Sequence, residues 1–417
     1  MATKINIRSP FYIKPSNGSL VSATMQLYIY TGVLGTNKPA SAQYTITKNE
    51  RDNNNYGVFE ISELVRDYLD IEFNGEYDSE TVWVESDITM YNAVDGGGSS
   101  VGTSNTDYIA FDGYGYFHEG TNPELSRGLL LSNNTIFRLN DSNVRIPVFT
   151  EDTNSVAFYY EGALKRSITI SSSTNTNGQI DYVTVSGSDN TDTYEERVVA
   201  DGGTLESSKC LTDFLNQIDI GLVDEVWVAT DDSTEIVKIF STEECKYEPY
   251  KVTFVNKYGA LQDLWFFKKS VETTNVTSEQ FKASIFDQST LSYKTYKHQQ
   301  QSFLAQGKDR ITMNTGYVND DHNSVLEELL LSEQVWYTKI TETEEKVIPV
   351  IPLTKSITYK TSVNDKLANY TVDFEHAFDK INNIRYPKIK SRHTSKLHMI
   401  CSTALLKRYV CISSSSK

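Results

Sequence analysis

A chain of 417 residues exceeds what a single hydrophobic core comfortably serves, so two to four domains are expected. Its 39 basic and 55 acidic side chains give a formal charge of −16, which argues against nucleic acid or an anionic membrane as the main partner. Four cysteines (Cys210, Cys245, Cys401, Cys411) are too few to staple so long a chain, and no run of eighteen apolar residues offers a membrane-spanning helix.

The opening MATKINIRSPFYIK lacks the apolar core of a signal peptide, so synthesis in a reducing cytoplasm is expected. Residues 1–150 then alternate as strands do. In SATMQLYIYTG, Met25, Leu27 and Ile29 fall on one face, with Gln26, Tyr28 and Tyr30 on the other. AQYTIT and VFEIS continue as strands, and Ser62 is placed to cap a short helix bearing Leu64, Val65, Tyr68 and Leu69. TVWVESDITMY reads as another strand, with Val82, Val84 and Met90 opposite Trp83 and Glu85. Residues 95–106, DGGGSSVGTSNT, predict a mobile loop, because Gly and Ser maximise chain entropy and bury little. Strands and turns resume to VRIPVF.

The segment 151–248 offers SVAFYYEG, RSITISSS, QIDYVTVSG, ERVVA, EVWVAT and EIVKIFS as strands, with one helix, LTDFLNQI, within 209–218. Pro249 opens the segment 249–385. There Ser324-x-x-Glu327 reads as a capping box starting a helix near 324–333 with Leu326, Leu329 and Leu330 on its inner face. Two strands follow, one presenting Ile357, Tyr359 and Thr361 and the other Tyr370, Val372, Phe374 and His376, joined through SVNDKLA as a hairpin with a long turn. The helix is expected to bury against the sheet containing Tyr359 and Phe374. Residues 386–417 are a basic tail with seven Lys or Arg and no acid, which leaves 32 basic against 55 acidic side chains before it, a charge of −23. Abundant Tyr, Thr, Ser and Asn, with strands spaced by Gly, Asn and Asp turns, predict a mainly β chain of several antiparallel, sandwich-like domains with a few short helices. The first and third segments share a strand-rich plan with one short helix each, as related sandwiches would.

Motifs that carry chemistry lack their required context. Gly98-Ser99-Ser100-Val101-Gly102 has the letters of a nucleophile elbow, but no helix follows to strain and expose the serine. Asp373 and Glu375 share one strand face, as a solvated or interface face does, and nothing sets them across a cleft as glycoside hydrolysis requires. His393, His398, Cys401 and Cys411 are zinc-type ligands at spacings that match no complete zinc set. No metal, cofactor or enzymatic activity is expected. The stretch YIAFDGYGYFHEG concentrates aromatics between glycines. Tyr108, Phe111, Tyr114, Tyr116 and Phe117 are therefore candidate contacts to a partner subunit or a receptor glycan, with an inward-facing sandwich core as the alternative.

INIRSPFYIK, SATMQLYIYTG, VTFVNKYGALQDLWFFKKS and the run VWYTKITETEEKVIPVIPLTKSITYKTSVNDKLANYTVDFEHAFDKINNIR together resemble virion structural proteins of tailed bacteriophages, notably the contractile-tailed phages of marine bacteria. The resemblance covers residues 4–92 and 249–385 and stops near Arg385. It implies a virion component, in the tail or baseplate, that acts by subunit–subunit assembly with other phage structural proteins and as a homo-oligomer or part of a symmetric assembly. A receptor- or glycan-binding tip protein is the alternative, with the host surface glycan as partner; a capsid decoration or neck protein is another.

Overall fold

The computed structural model describes residues 2–49, 57–77, 81–123, 125, 127–140, 142–149, 151–169, 180–185, 223–230, 233–319, 321–340, 345–359 and 368–382. The helix expected within 209–218, the strand ERVVA, most of the SVNDKLA linker and the tail 386–417 lie outside them. The described residues up to Lys380 pack as one compact unit.

Strands β1 (Thr3–Asn6), β2 (Tyr12–Ile13), β3 (Ser22–Tyr30), β4 (Tyr44–Asn49) and β5 (Phe59–Glu60) lead to helix α1 (Ser62–Arg66), then to β6 (Val82–Tyr91) and β7 (Ser100–Phe111). Next come β8 (Thr135–Leu139), β9 (Val144–Phe149), β10 (Thr153–Tyr160), β11 (Ala163–Thr169), β12 (Ile180–Val185), β13 (Glu225–Thr230) and β14 (Thr234–Thr242). The last group is β15 (Tyr250–Val255), β16 (Leu261–Phe266), β17 (Lys268–Lys282), β18 (Phe286–Asp287), β19 (Ser292–Tyr293), β20 (Gln300–Val318), helix α2 (His322–Leu331), β21 (Val335–Ile340), β22 (Glu345–Pro352) and β23 (Ala368–His376). Three larger sheets result, ordered β1-β7-β6-β3-β4, β11-β10-β13-β14-β8 and β16-β15-β21-β22-β23-β20-β17. The chain is mainly β, as expected, and among the described residues its ladders are antiparallel except β1 with β7 and β8 with β14. The division expected near residue 150 falls inside the middle region. β8 and β9 precede it in sequence, yet β8 pairs with β14 and β9 with β12.

Period-two alternation explains most of these strands. Met25, Leu27 and Ile29 of β3 are buried with Ile5, Val84 and Ile88, while Gln26 faces water. In β6 both faces are buried at its start: Val82 and Val84 enter that cluster, whereas Trp83 points the other way and its Nε1 donates to the Gly32 carbonyl at 2.9 Å. The opposite face is covered because a fourth cluster draws on all three segments: Tyr30, Trp83 and Phe111 from the first, Tyr182 from the second, and Val255 and Leu261 from the third. Sheets that would each need a solvated face thereby share one interior.

Polar side chains finish this junction. The Asn256 Nδ2 donates to the Leu130 carbonyl at 2.7 Å, and its Oδ1 accepts from the backbone N–H groups of Tyr258 and Ala260, closing the β15–β16 turn. Buried Glu328 of α2 accepts from the Ser132 hydroxyl at 2.5 Å and from the Lys257 N–H at 3.0 Å, tying helix, turn and middle region together. Burial raises the Glu328 carboxyl above the usual carboxylate range, against the lowering effect of those two donors.

Several local expectations are corrected. Ser62 does not cap α1: Ile61 holds that position, and the Glu60 carboxylate accepts from the Ser62 amide at 2.9 Å and from its hydroxyl. Ser324 does not open α2. The helix begins at His322, two residues earlier, and the Ser324 hydroxyl donates back to the Asp321 carbonyl at 3.0 Å. Extending the helix backwards buries His322, which a start at Ser324 would leave out. The expected loop over 95–106 is instead a tight turn followed by a strand. Asp95 at φ 56° and Gly96 and Gly98 at φ 72° and 76° turn the chain. Asn49 pins the Asp95 N–H at 2.7 Å and Asn92 pins the Ser99 N–H at 2.9 Å. From there Gly102 to Asp107 pair in register with Met90 to Glu85. Backbone pairing with β6 outweighs the poor side-chain pattern. Leu326 and Leu329 do bury against Phe374, but Tyr359 is exposed in an irregular segment and donates to Glu327 at 2.5 Å. Ile357 packs at the edge of that cluster from the same segment, which is not a strand.

Candidate interaction surface

The aromatic segment 108–120 divides at Asp112. Tyr108 and Phe111 end β7 and point into the core, Tyr108 edge-on to Phe11 at 5.5 Å and Phe111 edge-on to Phe149 at 5.3 Å. As contacts for a partner these two are corrected toward the inward-facing alternative: Tyr108 is buried with Ile5, Met25 and Val84 on one face of the sheet and Phe111 with Tyr30, Trp83 and Leu261 on the other. Past Gly113 the chain leaves the sheet. Tyr114 and Tyr116 are half-buried and meet edge to face at 5.7 Å. The Arg8 guanidinium lies 4.9 Å from the Tyr114 ring and the Lys257 ammonium 4.4 Å from that of Tyr116. Phe117 opens a one-turn 3-10 helix and is fully exposed. Burial, together with the charges of Glu328 and Glu327, pushes the Tyr116 hydroxyl up to about 12, so Tyr116 sits in the negative field of α2.

Beside it, α2 and the irregular segment 353–359 enclose a groove of about 260 Å³ lined by Leu326, Leu330, Ile357, Tyr370 and Val372. Glu327 accepts from the exposed Tyr359 beside this part of the surface.

The largest exposed feature has no counterpart among the sequence expectations. β17 and β20 pair antiparallel from Lys268↔Asn314 out to Lys282↔Gln300, yet only the inner part of that ladder rests on the body. From Val271 through Ala305 almost every side chain is exposed. At about 3.3 Å per residue, the stretch Asn275–Lys282 alone projects roughly 23 Å beyond its base. The tip carries the small β18–β19 pair. Phe281 and Phe303 meet edge to face at 5.6 Å on one side of the ribbon, and Leu291, Tyr296 and Leu304 near the tip remain 78 %, 72 % and 70 % exposed. The tip also bears Lys282, Lys294 and Lys297 against Glu279 and Asp287, a net positive end on a strongly acidic chain.

The chemical candidates gain no reactive geometry. Gly98 and Ser99 close the turn and Ser100 to Gly102 already belong to β7, so no helix follows the serines. Glu375 pairs with Arg310 at 2.7 Å and Lys308 at 3.3 Å, which hold its carboxyl below the usual range; Asp373 accepts from Thr312 at 2.5 Å. Both are cross-strand partners on the face away from Phe374. No group of three His, Cys, Asp or Glu side chains able to hold a metal occurs among the described residues, and His393, His398, Cys401 and Cys411 lie outside them. No described helix is long and apolar enough to cross a membrane. No protein-family model matches the chain, and no curated protein matches it.

Proposed function

We propose that this chain is a non-enzymatic structural protein of a tailed-phage virion, placed in the tail or baseplate and working by assembly with neighbouring subunits. The observation that carries this reading is the β17–β20 arm. A two-stranded ribbon is marginal in water by itself, and exposed apolar side chains at this density mark a surface meant to be covered by another molecule. The sequence resemblance over residues 4–92 and 249–385 supplies the virion setting. Mass spectrometry of washed, intact particles of the parent phage tests it. The chain should be recovered in stoichiometric amount with the other particle proteins; recovery from the infected-cell lysate alone would overturn the reading.

A second reading, a receptor-binding tip protein, is favoured by one observation: Phe117 is fully exposed beside the stacked Tyr116 and His118 rings, 5.6 Å apart, in the manner of a platform for a sugar face. Locating the chain in particle images separates the two, since a receptor-binding protein stands at the distal end and an assembly protein is enclosed by neighbours.

A further inference from the structure

We infer that Lys4 and Asp152 condense to an intramolecular amide, with the Glu151 carboxyl carrying the proton, so that β1 becomes covalently tied to the turn between β9 and β10. The inference concerns the chain itself and stands apart from the assembly reading.

The two reacting groups are already in contact inside the protein. Lys4 stands on β1 in register with Ile109 of β7, and its side chain is only 8 % exposed. Its Nζ donates to Asp152 Oδ2 and lies 4.9 Å from the centre of the fully buried Phe149 ring. The turn that presents Asp152 is held in place. The Asp152 N–H donates to the Phe149 carbonyl at 3.3 Å, the Thr153 hydroxyl donates to the same carbonyl at 2.8 Å, and the Phe149 N–H donates to the Gly128 carbonyl at 2.7 Å. The other carboxyl oxygen of Asp152, Oδ1, is buried without a hydrogen-bond partner in the protein. A buried ion pair is favourable only where its remaining lone pairs are satisfied, and here one oxygen is not. Condensation removes both charges and one of the two oxygens. Burial also pulls the Lys4 ammonium down to about 8, against the raising charge of Glu151. It raises the half-buried Glu151 carboxyl as well, against the pull of Lys4 and the terminal amine. A neutral amine beside carboxyl groups that keep their protons is the reacting state.

The reaction balances without a cofactor or an oxidant. Lys4 passes one proton to Asp152, which gives the amine and the acid. The Nζ lone pair then forms a bond to Cγ of Asp152, and one Cγ–O bond breaks. Glu151 delivers its proton to the departing hydroxyl, takes a proton from the nitrogen and ends unchanged. The products are one amide and one water. Amide formation is unfavourable between free reactants in water, but held groups reach effective molarities of about 10⁵–10⁸ M, and burial keeps water from the new bond. The bond joins the first sheet to the middle region across 148 positions of the chain.

Intact-mass spectrometry of the full chain, folded and then denatured, reads the bond directly. After allowance for processing of the N-terminus, the wild type should be about 18 Da lighter than its sequence, the mass of one water. Trypsin should then release residues 1–8 joined to residues 146–165 as one branched peptide, uncut at Lys4. Lys4→Arg retains a cation for Asp152 but has no amine to condense, and should show the full sequence mass. Glu151→Gln should be purified mostly unlinked. A folded wild type that keeps its full sequence mass on prolonged incubation overturns the inference, and Lys4 and Asp152 are then a plain ion pair. So does a loss of water that maps to any other residues, such as an Asp-Gly succinimide. A Glu151→Gln chain purified fully linked overturns the part assigned to Glu151.

Discussion

Gly259→Ala tests whether the β15–β16 turn is seated against the end of β7 as tightly as the geometry requires. Gly259 has φ +77°, where an alanine costs roughly 1–2 kcal/mol in the left-handed region. Its new Cβ would also stand 2.8 Å from the backbone nitrogen and 2.9 Å from the carbonyl carbon of Asp112. Neither atom can move cheaply. The Arg8 N–H donates to the Gly113 carbonyl and the Tyr114 N–H to the Lys257 carbonyl, both at 2.9 Å, and Gly113 itself has no room for a Cβ. Overpacking of this kind adds about 1–3 kcal/mol, for a total near 2–5 kcal/mol. Gly162→Ala is the matched control, with φ +76° and nothing within 4 Å of the added carbon, so it carries the conformational term alone. Guanidinium denaturation followed by tryptophan fluorescence gives both free energies. Gly259→Ala should exceed Gly162→Ala by about 1–3 kcal/mol. Equal losses would refute the tight seating and with it the idea that this turn fixes the third segment to the first.

Other expectations are independent of that junction. Leu329 is fully buried beneath the seven-stranded sheet, so Leu329→Ala should cost about 2–5 kcal/mol in the same denaturation assay; a loss below about 1 kcal/mol would make α2 peripheral. The Leu261 N–H donates to the Tyr182 hydroxyl at 2.8 Å inside the shared cluster, and Tyr182→Phe, which leaves that N–H unpaired, should cost about 1–3 kcal/mol. Burial lowers His322 from 6.5 to about 4, so between those pH values the unfolded chain binds a proton that the folded chain refuses. Stability present above pH 6.5 should fall by roughly 3 kcal/mol as pH drops to 4, and His322→Phe should remove that part of the slope; identical pH profiles for the two proteins would contradict it.

Where the protein covers one face of a strand and wets the other, the sequence is easily read. Met25, Leu27 and Ile29 against Gln26, or Tyr370, Val372 and Phe374 against Thr371 and Asp373, fall where alternation puts them. Legibility fails where a partner outside the strand decides. Trp83 reads as an outward residue of β6 and is buried because sheets from the other segments cover it. Tyr108 and Phe111 share one aromatic run with Tyr114 to Phe117, for which core and contact surface both stay open in the sequence, and the packing of clusters on both faces of β7, which no local pattern announces, decides for the core at these two. The Gly/Ser-rich stretch reads as disorder because its side chains bury little, but β6 needs only its backbone. Ser62 and Ser324 fail for a smaller reason: a nearby carboxylate or one more buried turn displaces a cap by a residue or two.

The arm is the instructive omission, because its illegibility and its role have the same cause. KKSVETTNVTSEQFK and QQSFLAQGKDR have the Thr, Val and Phe content of strands without a sustained apolar face, since within one chain neither side of the ribbon has anything to lie against. Val276 at 69 % exposure is placed by its backbone pairing with Gly307, Leu304 at 70 % stands in the bulge between Thr277 and Glu279, and a second register shift between Lys268 and Val271 comes just where the ribbon leaves the body. Selection for folding alone has little reason to keep rings such as Phe281, Phe286, Tyr293 and Tyr296 on a projecting hairpin, where they invite aggregation and contribute nothing to the core. On the assembly reading, their covering partner comes from outside the chain. A reading of sequence periodicity looks for faces that the chain buries by itself, so it passes over an element of this kind, and the missing intramolecular face is what the assembly reading starts from.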